Sequence, residues 1–316
     1  MYRAGVVYCS VFTRPPPFMK MLTLLLACFS FLGQIYGSSV PLKTRAFPSF
    51  LPGTQLGHVN AVEEASGLCA SRVNPNILYT HNDNGDGPKL YAISALTGEL
   101  KKTIHVHGAH NYDWEDIACG PCDVNGGDCV YIGDIGDHSG DGARNIIYKI
   151  REPLITNSHG DVTVDVDAQI RFIWNPHQQD SETLMVDQHR NLYIISKVSD
   201  GQGKVGMIES SAWDTSTAIV TVSNLVTLPL STGNNDPTGG DISQSGQEII
   251  IQTHHQIFYW QVVDGIGIKE TFIQNPIGVP FHYKKNVESV AWDANGRGYY
   301  TVAEGHHENL YYYARQ

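Results

Sequence analysis

The sequence predicts an all-β protein, a five-bladed β-propeller closed by pairing of its N- and C-terminal strands. Three observations carry that expectation. First, a segment led by one carboxylate and continued by small or apolar residues recurs: Glu64-Ala65-Ser66-Gly67-Leu68, Glu115-Asp116-Ile117-Ala118, Glu182-Thr183-Leu184-Met185, Asp241-Ile242-Ser243 and Glu288-Ser289-Val290-Ala291. Each copy is followed by a turn and a β-rich run, as expected of the innermost strand of a blade. Second, the chain holds 31 glycines and 16 tyrosines and is only 17% charged, which suits many short strands with tight turns. Third, the last repeat is one strand short, while a spare strand candidate, Gln55 to Val59, precedes the first repeat.

The chain in order bears this out element by element. Residues 1–39 read as a secretory signal. Lys20 is the positive flank, Leu22 to Leu32 the apolar run, and Gly37, Ser38 and Ser39 the small residues for cleavage. Arg14 and three prolines ahead of that run do not fit a signal, so Met19 and Met21 are alternative initiators. The apolar run is shorter than the ~20 residues a bilayer requires. The expectation is a secreted, extracellular protein without a membrane span. Residues 40–53 are a Pro-rich lead-in, and 54–316 form one propeller domain.

The first blade comprises Glu64 to Cys69, Ile77 to Thr80, Lys89 to Ser94 and Leu100 to Val106, with turns at Asn74-Pro75-Asn76 and Thr97-Gly98. The second is Trp114 to Cys119, Val130 to Gly133, Asn145 to Ile150 and Val162 to Trp174. The third is Glu182 to Val186, Leu192 to Ser196, Lys204 to Glu209 and Ile219 to Leu228. The fourth is Asp241 to Ser243, Glu248 to Thr253, Gln256 to Val262 and Ile268 to Gln274. The fifth is Glu288 to Trp292, Gly298 to Val302 and Asn309 to Ala314, completed by Gln55 to Val59. Successive leading acids are 51, 67, 59 and 47 residues apart, and loops at 137–144 and 153–161 account for the long second interval. A sixth blade in that interval and a β-sandwich are the competing architectures. Trp114, Trp174, Trp260 and Trp292 are assigned to packing between blades.

Of six cysteines, Cys9 and Cys28 fall within the signal. The remaining Cys69, Cys119, Cys122 and Cys129 allow three pairings. Cys69 and Cys119 fall near the far ends of adjacent inner strands, and Cys122 and Cys129 flank one loop, so the expected disulfides are Cys69–Cys119 and Cys122–Cys129. A zinc site at Cys119-Gly-Pro-Cys122 is the rival, disfavoured because only three cysteines cluster there.

Net charge is −11, which argues against nucleic acid as a partner. Aligned around a channel, Glu64, Glu115, Glu182, Asp241 and Glu288 would form a ring. Two carboxylates 4 Å apart repel by about 4 kcal/mol at an effective dielectric of 20. Such a ring must be wet, partly protonated, hydrogen-bonded to backbone or neutralised by a cation. Hard oxygen ligands outside the cell point to Ca²⁺. The second strands return to the same face and bring His81, Asn82, Asp83, Asp134, Lys197, His254 and Glu304 to the mouth. His81, His254, Lys197 and Asp134 are the candidate catalytic groups. Asn82-x-Asn84-x-Asp86-Gly87 and Asp137-x-Ser139-x-Asp141-Gly142 resemble the start of a calcium loop, but Ile93 and Tyr148 stand where its final acid belongs, so turn chemistry is the expectation. His105 and His107 alternate on one strand face near His110 and are a candidate metal pair.

EASGL at 64–68, THNDNGDG at 80–87, YDWEDIACGP at 112–121, YIGDIGD at 131–137 and GRGYYTVAEG at 296–305 resemble a family of secreted propeller proteins of bacteria and animals, for which no activity is established. The match covers most of 60–313. A more distant likeness is to the calcium-activated nucleotidases (apyrases), secreted five-bladed propellers with a central calcium held by inner-strand oxygens. That resemblance implies a cation at Glu64, Glu115, Glu182, Asp241 and Glu288, and it does not extend to a nucleotide-recognition motif. Three functions follow. One is a metal-dependent hydrolase of phosphoanhydrides or esters. Another is a non-catalytic propeller binding a glycan, a peptide or a secreted protein. The third is a structural scaffold closed by an ion.

Overall fold

The computed structural model describes residues 47–316 except 124, 138–144, 157–159, 199–201, 215–217, 231–235 and 264. The expected signal and most of the lead-in lie outside the described residues, as does all but the first residue of the Asp137–Gly142 loop. Phe47–Gln316 forms one compact unit. Among the described residues no helix is long and apolar enough to cross a membrane.

The unit is all-β and propeller-like. It opens with β1 (Thr54–Val59). β2 (Ala65–Ala70), β3 (Ile77–Asn82), β4 (Lys89–Ser94) and β5 (Leu100–His107) follow, and from β3 onward each pairs antiparallel with the strand before it. β6 (Trp114–Pro121), β7 (Asp128–Asp134) and β8 (Ile146–Arg151) repeat the pattern, then β9 (Val162–Asp165) and β10 (Ala168–Asn175). Next come β11 (Ser181–Val186), β12 (Leu192–Ser196), β13 (Lys204–Ile208) and β14 (Val220–Thr227). β15 (Pro237–Ile242), β16 (Glu248–Thr253) and β17 (Ile257–Gln261) precede helix α1 (Ile268–Phe272) and β18 (Ile277–Val279). β19 (Val287–Trp292), β20 (Gly298–Ala303) and β21 (Glu308–Ala314) complete the chain, and β1 pairs with β21 as the spare-strand argument expects.

Three of the predicted elements differ, the first being Asp241–Ser243, which is the end of a strand that already begins at Pro237. The stretch 162–174 is not one strand. Val166 N–H donates to His107 O and Asp167 N–H to Lys149 O, so the chain changes partner between them. β9 then runs parallel to β5 as a fifth strand of the first sheet, while β10 pairs with β8. β10 also pairs in parallel with β14, which merges two repeats into one eight-stranded sheet. Residues 268–272 are helical rather than extended. Thr271 and Phe272 are buried and Ile268 packs beside them, a spacing of three and four that suits a helix and not a strand. Phe272 meets Trp260 edge to face at 5.4 Å, and β18 takes the outer-strand place instead.

The first strands of the repeats pack in a circuit: β2 on β6, β6 on β11, β11 on β15, β15 on β19, and β19 back on β2. Hydroxyls stitch neighbours together, with Ser66 Oγ donating to Glu115 O, Thr238 Oγ1 to Val287 O and Ser289 Oγ to Ala65 O. The apolar clusters lie between consecutive sheets. Tyr79 and Leu90 meet Trp114 and Ile132, and Leu68 and Leu78 meet Val302 and Leu310 across the closure. Trp114, Trp174, Trp260 and Trp292 are all buried in these layers. Each large side chain so buried contributes about 1.5–3 kcal/mol. Phe50 of the lead-in is buried too, against Trp292 and Tyr299. Both disulfides, Cys69–Cys119 and Cys122–Cys129, form as expected, the first joining β2 to β6, and they suit an oxidising compartment.

Candidate metal centre

Each first strand carries an irregularity near its start, where two of its residues face one of the second strand. This feature sets the true equivalence of the acids. The carbonyls of Glu64, Asp113, Asp180 and Asn286 accept hydrogen bonds from the amides of Asp83, Ile135, Lys197 and Glu304 in turn. Glu64 therefore matches Asp113, Asp180 and Asn286. Two residues further on, Ser66, Glu115, Glu182, Thr238 and Glu288 match one another. The five-acid ring is corrected accordingly. Glu115, Glu182 and Glu288 are equivalent, Glu64 stands two residues before that position, and Asp241 three residues after it. An alignment anchored on the first acid of each segment fails because Ser66 and Thr238 stand where the other repeats carry the glutamate.

The mouth nonetheless gathers acids, in two triads sharing Glu115. Asp83, Asp113 and Glu115 can each present one oxygen with all of them within 4.8 Å of one another, as can Glu115, Asp180 and Glu182. These buried acidic groups are able to hold a metal ion. Asp113 and Asp180 escape the sequence reading, although a signal exists: each stands two residues ahead of a mouth glutamate, in Asp113-x-Glu115 and Asp180-x-Glu182.

The electrostatics follow from that crowding. Burial, with Asp113 and Glu182 next, pushes Asp83 up to about 7. Burial raises Glu115 well above the usual carboxylate range, helped by Glu182 and Asp83. Glu182 is raised by burial and restrained by Lys197, whose Nζ lies 2.5 Å from Glu182 Oε1. Glu288 rises to about 9 through burial and then the Glu304 charge. The Glu182 charge adds to the rise of Glu115, and the Glu304 charge to that of Glu288, as carboxylates close to one another require.

Two features suit this triad to a cation. Asp83 Oδ1 is buried and has no hydrogen-bond partner among the described residues. Gly136, in the YIGDIGD segment, lies against the carboxylates so closely that a Cβ there would stand 2.3 Å from Asp113 Oδ2 and 2.4 Å from Glu115 Oε1. Only glycine leaves room for them.

The other predicted site residues are distributed as follows. Asn82 Oδ1 accepts from the amides of Glu63 and Glu64 and so shapes the turn into β2. Asp134 Oδ1 accepts from Asp113 N–H and positions that backbone. Glu304 joins Glu288 and Asn286. His254 Nε2 lies 3.3 Å from Asp236 Oδ2 and keeps some exposure. His81 differs from expectation. It is fully buried, edge to face on Trp114 at 5.6 Å, and burial lowers it to about 4. A neutral imidazole without exposed surface does not exchange protons with a solute in the mouth. Asp241 is also apart from the triads. Its Oδ2 accepts from Trp292 N–H, and burial raises it to about 7 against that bond. Asp86 caps its own turn, accepting from Asn82, Gly87 and Tyr91, so the calcium-like loop at 82–87 is turn chemistry. His105 and His107 pair with Asp161 at 3.1 Å and Asp165 at 2.8 Å rather than with each other, and neither histidine belongs to a triad.

No family model and no curated protein matches the chain. Among solved structures it is similar to the PQQ-bound form of an aldose sugar dehydrogenase from Streptomyces coelicolor, with a TM-score of 0.53 and 12% identity over 86% of this chain and 99% of that one. At that identity the likeness is one of fold, and it agrees with the circular, all-β arrangement described above.

Proposed function

We propose that this chain is a secreted five-bladed propeller whose acidic mouth binds a divalent cation, Ca²⁺ by preference, and hydrolyses phosphoanhydrides or phosphate esters there. The blade count rests on the circuit of first strands, and the preference for Ca²⁺ on an all-oxygen donor set. The observation that carries the reading is the convergence of Asp83, Asp113 and Glu115 beside a partnerless Asp83 oxygen. The motif likeness to secreted propellers, and more distantly to calcium-activated nucleotidases, supports it.

A bound cation would polarise a phosphoryl oxygen or acidify a water. The chain supplies the rest. Glu182 holds the Lys197 ammonium at the mouth, where it offsets negative charge on an anionic substrate. Asp236 orients His254, the partly exposed imidazole of the site, to accept a proton from water. Asp134 fixes the backbone of Asp113. The test is turnover of a nucleotide and phosphate-ester panel by purified protein with Ca²⁺ and with chelator. Absence of Ca²⁺-dependent turnover across the panel removes the hydrolase.

A structural ion is the second reading. Asp83 belongs to the first repeat and Asp113 and Glu115 to the second, so one cation held by that triad would cross-link two successive repeats. A lower melting temperature on chelation, without turnover, selects it.

A further inference from the structure

We infer that Lys197 is a resident cation at the second acidic triad, paired with its Glu182, and that it confines the mouth to a single divalent ion on the Asp83 side. The inference rests on the reading that the mouth binds a metal.

The two triads are chemically alike. Each takes Glu115 and two further carboxylates, and in each the oxygens can lie within 4.8 Å of one another. Donor type does not choose between them. Lys197 does. Its Nζ lies 2.5 Å from Glu182 Oε1, and its amide donates to Asp180 O, so its stem is anchored at the second triad by backbone. The Glu182 side chain is 2% exposed, and separating a buried carboxylate from its ammonium leaves an uncompensated charge. A second divalent ion would have to displace that ammonium or sit beside it. The first triad is built the other way. Asp83 Oδ1 lacks a partner among the described residues, and the bare backbone of Gly136 leaves room for Asp113 and Glu115.

Ca²⁺ binding to the chelator-treated full chain, measured by equilibrium dialysis with metal analysis, tests this. Wild-type protein should bind about one ion, and Lys197→Met, which keeps the stem and removes the charge, about two. Asp83→Asn should lose the wild-type ion, whereas Glu182→Gln should retain it with affinity within about threefold, since only the Asp83 triad holds it. These two variants decide the matter even if Lys197→Met fails to fold. Two ions in wild type, one ion in folded Lys197→Met, or loss of binding in Glu182→Gln overturns the inference while leaving the metal centre standing. No ion in any of these proteins overturns the metal reading itself, and the inference with it.

Discussion

Glu115 and Asp116 are neighbours in β6, 3% and 1% exposed, and they are satisfied in opposite ways. Asp116 accepts three backbone N–H groups, from Ile117, Leu184 and Gly240, and so ties β6 to β11 and β15. Burial raises it well above the usual range, and those three amides pull the other way. Asp241 repeats the arrangement with Trp292 N–H. Glu115 instead faces Asp83, Asp113, Asp180 and Glu182. Burial by itself therefore does not mark a site. A buried acid surrounded by amides serves the fold, and one surrounded by acids awaits a proton or a cation.

Replacing each acid separates the two regions. Asp116→Leu strands three buried N–H groups at about 1–3 kcal/mol each, so chemical denaturation should show a loss of about 4 kcal/mol or more, or no folded protein. A change below about 1 kcal/mol would contradict the structural role. Glu115→Gln removes the oxygen shared by both triads. It should weaken Ca²⁺ binding by about 100-fold or more in calorimetry, yet leave the metal-free protein as stable as before or more stable, because a repelling charge is gone.

The pH dependence of metal-free stability is the next discriminator. Asp83 and Asp241 lie near 7 in the folded chain, so the folded state holds protons that the unfolded state has released. Their contribution is present below the ordinary carboxylate range of ~4 and is lost as pH rises towards about 7. The melting temperature of metal-free protein should fall across that window. Ca²⁺ should restore the loss due to the mouth and leave that due to Asp241. A melting temperature that climbs from pH 4 to 7 without metal would refute the crowding. The smallest effect expected is that of Gly136→Ala, whose Cβ displaces the Asp113 and Glu115 carboxylates: about tenfold weaker Ca²⁺ binding with little change in unfolding.

Much of this molecule was legible in its sequence because much of it is local. Lys89–Ser94, Leu192–Ser196 and Glu248–Thr253 occupy the strands that the repeat predicts, each a short apolar run between turns. The two disulfides and the closing pair of β1 with β21 follow from repeat alignment. The failures share a cause. Residues 162–174 alternate throughout, and only the available edges of two sheets decide that the chain changes partner at Val166 and Asp167. Residues 268–272 hold a helix because Phe272 has Trp260 to pack against.

By itself the sequence determined that acid-led strands recur and that the chain closes on its own start, since periodicity and turn chemistry are written residue by residue. Only the tertiary structure decided which acids meet. The packing of first strands from successive repeats brings Asp113 and Asp180 to the mouth beside Glu115 and Glu182, and leaves Asp241 outside the triads, three residues beyond the equivalent Thr238. Those distances depend on strands from different repeats packing side by side, which no single stretch of sequence encodes.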